Sequence, residues 1–357
     1  MDARLSKTFN LLRFPLIVLV VFIHTFDGAV TINGMQIEVG GICYHVLGNL
    51  ISRGLARIAV PLFFFMSGYL YFKESSLSVT LYRKKTKARV KSLLIPYLLW
   101  NVWVLVFMFG YQWIGAKVGF EFSGKLIRDF TAADFLRSFW DRGSGYPICF
   151  QLWFLRDLIL LSFLAPVIYY SIRSTKGLIL FLPGAMYLCG WMPSVFPSIS
   201  AVLYFSLGAA YKLCGWNWID GFVGFGSRMS WCYPIILVST FLFEETGFGL
   251  FLMHAAILIG VVWALNLSYR AASCNYSGHF TEALIGLSAA SFFVYASHEP
   301  LQGLLKKILY LLLQPSSDAM HVFIYFLGPV LTIAVALSVF YLLEKLLPGF
   351  LRIVNGR

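Results

Sequence analysis

Arg13-Phe-Pro-Leu-Ile-Val-Leu-Val-Val-Phe-Ile-His24 is the stretch that decides the fold. Ten apolar residues separate a basic residue from a histidine. The apolar run they belong to, near residues 10–31, reaches the roughly 20 residues that a bilayer crossing takes. Eleven helical steps of about 100° come to about three turns plus 20°, so Arg13 and His24 share a face, about 16 Å apart along the axis. Ionisable groups inside a span are costly and mark function by default. The pair reads as an anchor for an anionic group at the cytoplasmic edge and a proton-transfer residue deeper in.

The rest of the chain agrees with a membrane reading. Of 357 residues, 59% are hydrophobic and only 12% charged, about half the charge of a soluble domain; the mean hydropathy is +0.77. The net charge of +12 does not point to nucleic acid, because the basic residues gather between apolar runs, the pattern that sets membrane orientation. They suit anionic lipid and an anionic cofactor. The six cysteines, Cys43, Cys149, Cys189, Cys214, Cys232 and Cys274, have no C-x-x-C spacing and read as packing residues; Cys43 and Cys149 fall near one face and leave a bridge open. No metal site is expected. The first apolar run is a retained span rather than a signal peptide.

About ten spans can be drawn, near 10–31, 53–72, 93–115, 151–172, 178–195, 197–214, 229–245, 248–268, 284–308 and 320–346, giving an all-α bundle and one membrane domain over 1–357. Tyr44 to Gly54 reads as an amphipathic entry to the second. Arg4, Lys7 and Arg13 precede or open the first span, and Lys73, Arg83, Lys84, Lys85, Lys87, Arg89 and Lys91 follow the second, whereas the loop from Asp27 to His45 carries no lysine or arginine. Positive-inside then puts both termini in the cytoplasm. Lys306-Lys307, and Lys117, Lys125, Arg128, Arg137 and Arg142 in the 116–150 segment, fall on the other side and fit less well.

Several side chains are candidates for chemistry. His24 has Asp27 one helical turn on, placed to orient an imidazole and raise its basicity; an imidazole so held can deprotonate a hydroxyl. Arg53 and Arg57 stand four apart before Pro61 and Ser67-Gly68, and Arg57 reaches the depth of His24, where it can clamp an oxyanion. The basic loop from Lys73 to Lys91 leads into Ser92-Leu-Leu-Ile-Pro-Tyr97 and suits lipid headgroups or the phosphates of a nucleotide-type cofactor; no Walker or Rossmann glycine motif accompanies it. Trp153 suits an interfacial belt. Arg156 and Asp157 lie well inside the fourth span, about 100° apart around the helix, and need not pair with each other; they read equally as structure or as substrate contacts. His298 and Glu299, before Pro300, stand near mid-span in the ninth.

Five blocks, taken together, resemble the acyltransferase 3 family, the multi-span membrane enzymes that O-acylate bacterial surface carbohydrates. They are Arg13-x10-His24, Arg57-Ile-Ala-Val-Pro-Leu-Phe-Phe-Phe-Met-Ser-Gly, the basic run into Pro96-Tyr97, Leu152-Trp-Phe-Leu, and Ser291-Phe-Phe-Val-Tyr-x2-His298. The resemblance covers roughly residues 8–345. It implies acyl-CoA, acetyl-CoA first, as a donor substrate from the cytoplasm rather than a tightly bound cofactor, and a surface or lipid-linked glycan as acceptor on the other face of a bacterial inner membrane. His24 with Asp27 would be catalytic; Arg13, Lys87, Arg89 and Lys91 would hold the donor; Arg57, Trp153, Arg156, Asp157, His298 and Glu299 would meet substrate or oxyanion. The family often carries R-x-x-R just before the third span, and here Lys85, Lys87, Arg89 and Lys91 stand there without such an arginine pair. No extracellular hydrolase-like domain is appended, so transfer finishes in the membrane domain or passes to a separate glycan-processing partner. The rival reading is a transporter or flippase of a lipid-linked saccharide, which would use the same buried charges; against it, no inverted repeat is visible. A structural or sensory protein would leave Arg13, His24 and Asp27 unexplained.

Overall fold

The computed structural model describes residues 3–32, 35–74, 76–117, 119, 122, 124–141, 143, 145–193, 195–216, 231–243, 246–273 and 278–357. Glu121, Arg142 and Cys274 lie outside them. The described chain is helical apart from one hairpin. The elements are α1 (Ala3–Ile23), β1 (Ala29–Ile32), β2 (Met35–Glu38), α2 (Ile42–Gly48), α3 (Ala59–Tyr71), α4 (Val79–Arg89), α5 (Ile95–Lys117), α6 (Ala132–Ser138), α7 (Trp153–Phe163), α8 (Ala165–Thr175), α9 (Phe181–Leu188), α10 (Ile199–Leu213), α11 (Cys232–Leu242), α12 (Gly247–Ser273), α13 (His279–Leu287), α14 (Ser291–Leu313), α15 (Asp318–Leu346) and α16 (Pro348–Val354).

Among the described residues, five helical runs are long and apolar enough to cross a membrane: Arg4–Ile23, Ile42–Tyr71, Val79–Lys117, Gly247–Ser273 and Asp318–Leu346. The pair Phe150–Phe163 and Ala165–Thr175, bent by 65° at its break, makes a sixth if it is one broken span rather than a re-entrant loop. The sequence reading of about ten exceeds this. Leu178–Leu188, Ile199–Leu213 and Cys232–Leu242 are apolar but short; eleven residues of α-helix rise only about 16 Å against a hydrocarbon core of about 30 Å. The 284–308 run divides between α13 and α14. The fold class is as expected, an all-α membrane protein, and the first span sits further toward the N-terminus than 10–31.

Two compact units divide the chain. One comprises Met1–His24, Leu47–Lys87 and Leu160–Ser291; the other Thr25–Val46, Ala88–Ile159 and Phe292–Arg357. In the first, α1 packs on α3, α12 and α13, and α3 packs closely along α10. Glycine makes the α3–α10 approach possible: a Cβ at Gly68 would lie 2.0 Å from the Phe205 carbonyl oxygen, and one at Gly208 2.0 Å from that of Phe65. Small residues let backbones meet where lipid supplies no hydrophobic drive. Ser268 Oγ donates to the Thr8 carbonyl at 2.9 Å, and the Arg4 guanidinium lies 4.0 Å from the Tyr269 ring centre, joining α1 to α12.

In the second unit, the Trp100 indole N–H donates to the Val354 carbonyl at 3.1 Å, tying α16 to α5. The 27–45 segment, expected as a loop, holds an antiparallel hairpin with Ala29 opposite Glu38 and Ile32 opposite Met35. The Asp318 carboxylate accepts from the backbone N–H groups of Cys43 at 2.8 Å and Tyr44 at 2.9 Å, filling two open donors at the start of α2. Gly41, at φ +134°, has no room for a side chain there, since a Cβ would meet Asp318 at 2.3 Å.

The described cysteines are free, so Cys43 and Cys149 form no bridge. Cys149 is buried, but Cys43 and Cys189 are exposed, which corrects the packing reading for those two.

Candidate active site

His24 stands at the end of α1, which stops at Ile23. Its N–H donates to the Val21 carbonyl at 3.2 Å, a tightened last turn of the kind that closes helices. The freed Phe22 carbonyl is taken by Ser52 Oγ at 2.5 Å, and Ser52 is buried. These two bonds hold the half-buried imidazole where the chain leaves the helix. Arg13 is exposed and lies midway along the Arg4–Ile23 run. The expected placement, Arg13 at an edge and His24 deep, is therefore corrected by about seven residues: Arg4 and Lys7 belong to α1, where long basic side chains can snorkel.

Arg57 lies within electrostatic reach of both His24 and Tyr187. It does not sit on an α-helix. Asn49–Gly54 is a π-helix and Leu55–Ile58 a 3₁₀-helix, so Arg53 and Arg57 do not keep the four-residue α-helical spacing read from the sequence. Burial of the His24 imidazole first, and the Arg57 cation second, favour its neutral form, the form that accepts a proton. Tyr187 meets His254 with rings tilted by 37° and centres 4.4 Å apart, and meets Tyr204 edge-on at 5.5 Å. All three rings are buried, and none was singled out from sequence for chemistry.

The second unit gathers the other candidates. Because α1 has ended, Asp27 is not one helical turn beyond His24. Its carboxylate pairs with Lys306 Nζ at 2.7 Å. Lys306 also donates to the Thr25 carbonyl at 3.0 Å, and Gln302 Nε2 donates to Thr25 Oγ1 at 2.8 Å, so one face of α14 grips the Thr25–Asp27 segment. The orientation role read for Asp27 rested on helix spacing that the structure lacks.

α14 is broken at Glu299, with φ −105° and ψ 135°. Pro300 has no N–H and blocks the carbonyl four residues back. That carbonyl, Ala296 O, accepts from Gln151 Nε2 at 3.2 Å, and so does Glu299 O at 3.2 Å. His298 is fully buried, with Nδ1 2.6 Å from the Tyr295 carbonyl; Tyr295 Oη in turn donates to Gln151 O at 2.5 Å. Arg156 and Asp157, expected to point apart, are paired at 3.3 Å with 3% and 0% side-chain exposure. Arg156 also donates to the Trp140 carbonyl at 2.9 Å and the Gly145 carbonyl at 3.0 Å. Its guanidinium is thus committed to pinning the chain before α7. Trp153 opens α7, half-buried.

With this geometry in hand, a family model described as an acyltransferase domain, the acyltransferase 3 model, matches residues 7–342. The chain belongs to the acyltransferase 3 family. This acyltransferase is similar to a protein of Rhizobium meliloti (strain 1021) named "Succinoglycan biosynthesis protein ExoH", 25% identical over 363 residues, covering 100% of this chain and 93% of the relative. No solved structure matches it.

The basic segment of the acyltransferase is a helix, not a loop. α4 carries Lys87 and Arg89, and a π-helical turn, Val90–Leu94, carries Lys91 on the way to α5. Two residues apart on α4, Lys87 and Arg89 point about 200° from each other, so they do not converge on one phosphate. Lys85 is already engaged: it binds Glu74 at 2.5 Å and the Tyr71 carbonyl, and its hydrogen bond holds the Glu74 carboxyl below the usual carboxylate range. Gln151 is the residue that sequence reading passed over. A side-chain amide beside Trp153, paired with a proline inside another apolar run, was the available sign.

Proposed function

We propose that this membrane acyltransferase moves an acyl group, acetyl first among candidates, from acyl-CoA onto a hydroxyl of a surface or lipid-linked glycan. The observation that carries the reading is the His24 imidazole held at the end of α1 by the Val21 and Ser52 hydrogen bonds, with Arg57 within electrostatic reach. His24 takes the proton of the acceptor hydroxyl as its oxygen attacks the thioester carbonyl. Arg57 stabilises the oxyanion that forms. Collapse re-forms the carbonyl, breaks the C–S bond and releases the CoA thiolate, which takes the proton back from His24. Arg13, about 16 Å back along α1, suits an anionic part of the donor, and Lys87 or Arg89 the outlying phosphates.

Family membership supports acyl transfer, and the named role of the Rhizobium relative in succinoglycan biosynthesis supports a glycan acceptor. The basic-residue pattern supports an inner-membrane protein with both termini and the donor in the cytoplasm. The transporter reading gains no observation of its own. The test is acyl transfer from labelled acetyl-CoA to surface glycan by purified wild type and His24→Ala. A well-folded variant should lose about 10²–10⁴-fold in rate. A rate near wild type would remove His24 as the base.

A further inference from the structure

In the second unit, α5, α14, α15 and α16 enclose a cavity of about 570 Å³. Trp103, Phe293, Leu304, Val339 and Phe350 are among its walls, and no described residue lining it carries a charge. Its open side is apolar too: Trp103 is 54% and Phe350 51% exposed. The rim is different. Lys345 stands two residues beyond the lining residue Leu343, and Arg352 lies between the lining residues Phe350 and Val354. Lys91 precedes Ser92, whose backbone presses on Gly356 so closely that a Cβ there would meet its oxygen at 2.2 Å. All three cations are exposed; the acidic residue among the same stretch is Glu344.

We infer that this groove binds one acyl chain of an anionic phospholipid, with its phosphate at the Lys91, Lys345 and Arg352 rim. The apolar walls fit a hydrocarbon chain. The cations fit an acidic headgroup, as basic pockets beside membrane helices do. Length chooses the occupant. Along α15 the lining runs from Leu343 to Val335, a rise of about 12 Å. That is close to the roughly 15 Å depth of one leaflet's hydrocarbon, and far short of a long polyprenyl chain. Ser297 and Pro300 form part of the wall, so the lipid packs against the broken segment of α14. The inference does not depend on the catalytic reading.

Native mass spectrometry of the detergent-purified protein tests it, with phosphatidylglycerol, phosphatidylcholine and undecaprenyl phosphate as probes. One phosphatidylglycerol should be retained, at least tenfold more tightly than phosphatidylcholine. Lys345→Glu/Arg352→Glu, which changes only exposed side chains, should lose that preference. Val339→Trp should lower retention of both phospholipids. Equal retention of the two by wild type, unchanged preference in the charge variant, or tighter binding of undecaprenyl phosphate would overturn the proposal. A fold control by thermal unfolding accompanies each variant, and the charge variant alone decides if Val339→Trp unfolds.

Discussion

Asp27 shows how a residue can be legible and its partner not. The sequence places it three residues after His24, and helix spacing then aims it at the imidazole. The helix stops one residue before His24, and the carboxylate goes to Lys306, 279 residues away in sequence. No local pattern encodes that pairing. Asp27→Asn should therefore give a small stability loss, about 0.2–1 kcal/mol for a pair whose carboxylate is exposed; Lys306→Met should cost more, because it also loses the bond to the Thr25 carbonyl, and the double variant should be no worse than Lys306→Met alone. A tenfold fall in kcat for Asp27→Asn alone would return it to the imidazole. Arg156 is the opposite case: a buried charge was correctly expected to find partners inside, but the expectation that it need not bind its neighbour Asp157 did not hold. Both sit with almost no exposure, so removing one takes away the other's opposite charge in a desolvated site. Arg156→Met should cost about 3–5 kcal/mol, read as a large drop in thermal midpoint with faster proteolysis between Trp140 and Gly145. A stable Arg156→Met protein defective only in turnover would make the residue a substrate contact instead.

At the scale of elements, hydrophobic runs mark where helices lie but not how they end or bend. The apolar periodicity of 42–71 conceals a π turn and a 3₁₀ turn, because both keep a helical backbone and the same greasy composition. The 27–45 segment, expected as a loop, carries a hairpin signal in Asn33-Gly34 between short β-prone runs. Those two residues lie outside the described ones, but the strands on either side are paired. Pro300 announces a break in α14 in any sequence reading; what it cannot announce is that Gln151 fills the vacated hydrogen bonds. Gln151→Leu would leave the Ala296 and Glu299 carbonyls buried without their amide donor. A cost of about 1–3 kcal/mol per orphaned group is expected, seen as lower thermal stability and faster amide exchange around Glu299. Gln151→Glu, which keeps the shape and loses the donors, should resemble Gln151→Leu. If only the leucine variant is destabilised, packing rather than hydrogen bonding supports the break.

For the whole molecule, composition was enough for the class, because 12% charge leaves no soluble alternative. It was not enough for the number of crossings: α9, α10 and α11 are as apolar as spans and too short to be simple ones. Orientation rests on basic residues, and the structure sharpens where to test it. Lys84 is exposed on α4, and Gln36 is exposed on β2. Among the described residues, neither side chain makes a hydrogen bond or ion pair that a cysteine would remove, whereas Lys85 beside Lys84 pairs with Glu74. In a background lacking native cysteines, Gln36→Cys should react with an impermeant maleimide added to intact cells. Lys84→Cys should react only after the membrane is opened, because the seven basic residues from Lys73 to Lys91 favour the cytoplasmic side. The same two positions test the donor side proposed above. α4 can meet cytoplasmic acyl-CoA only if Lys84 is shielded from outside. Labelling of Lys84→Cys in intact cells would reverse the orientation and remove Lys87 and Arg89 from the donor site. It would leave His24 and Arg57 untouched, since their association belongs to a single unit and does not depend on which face of the membrane α1 points toward.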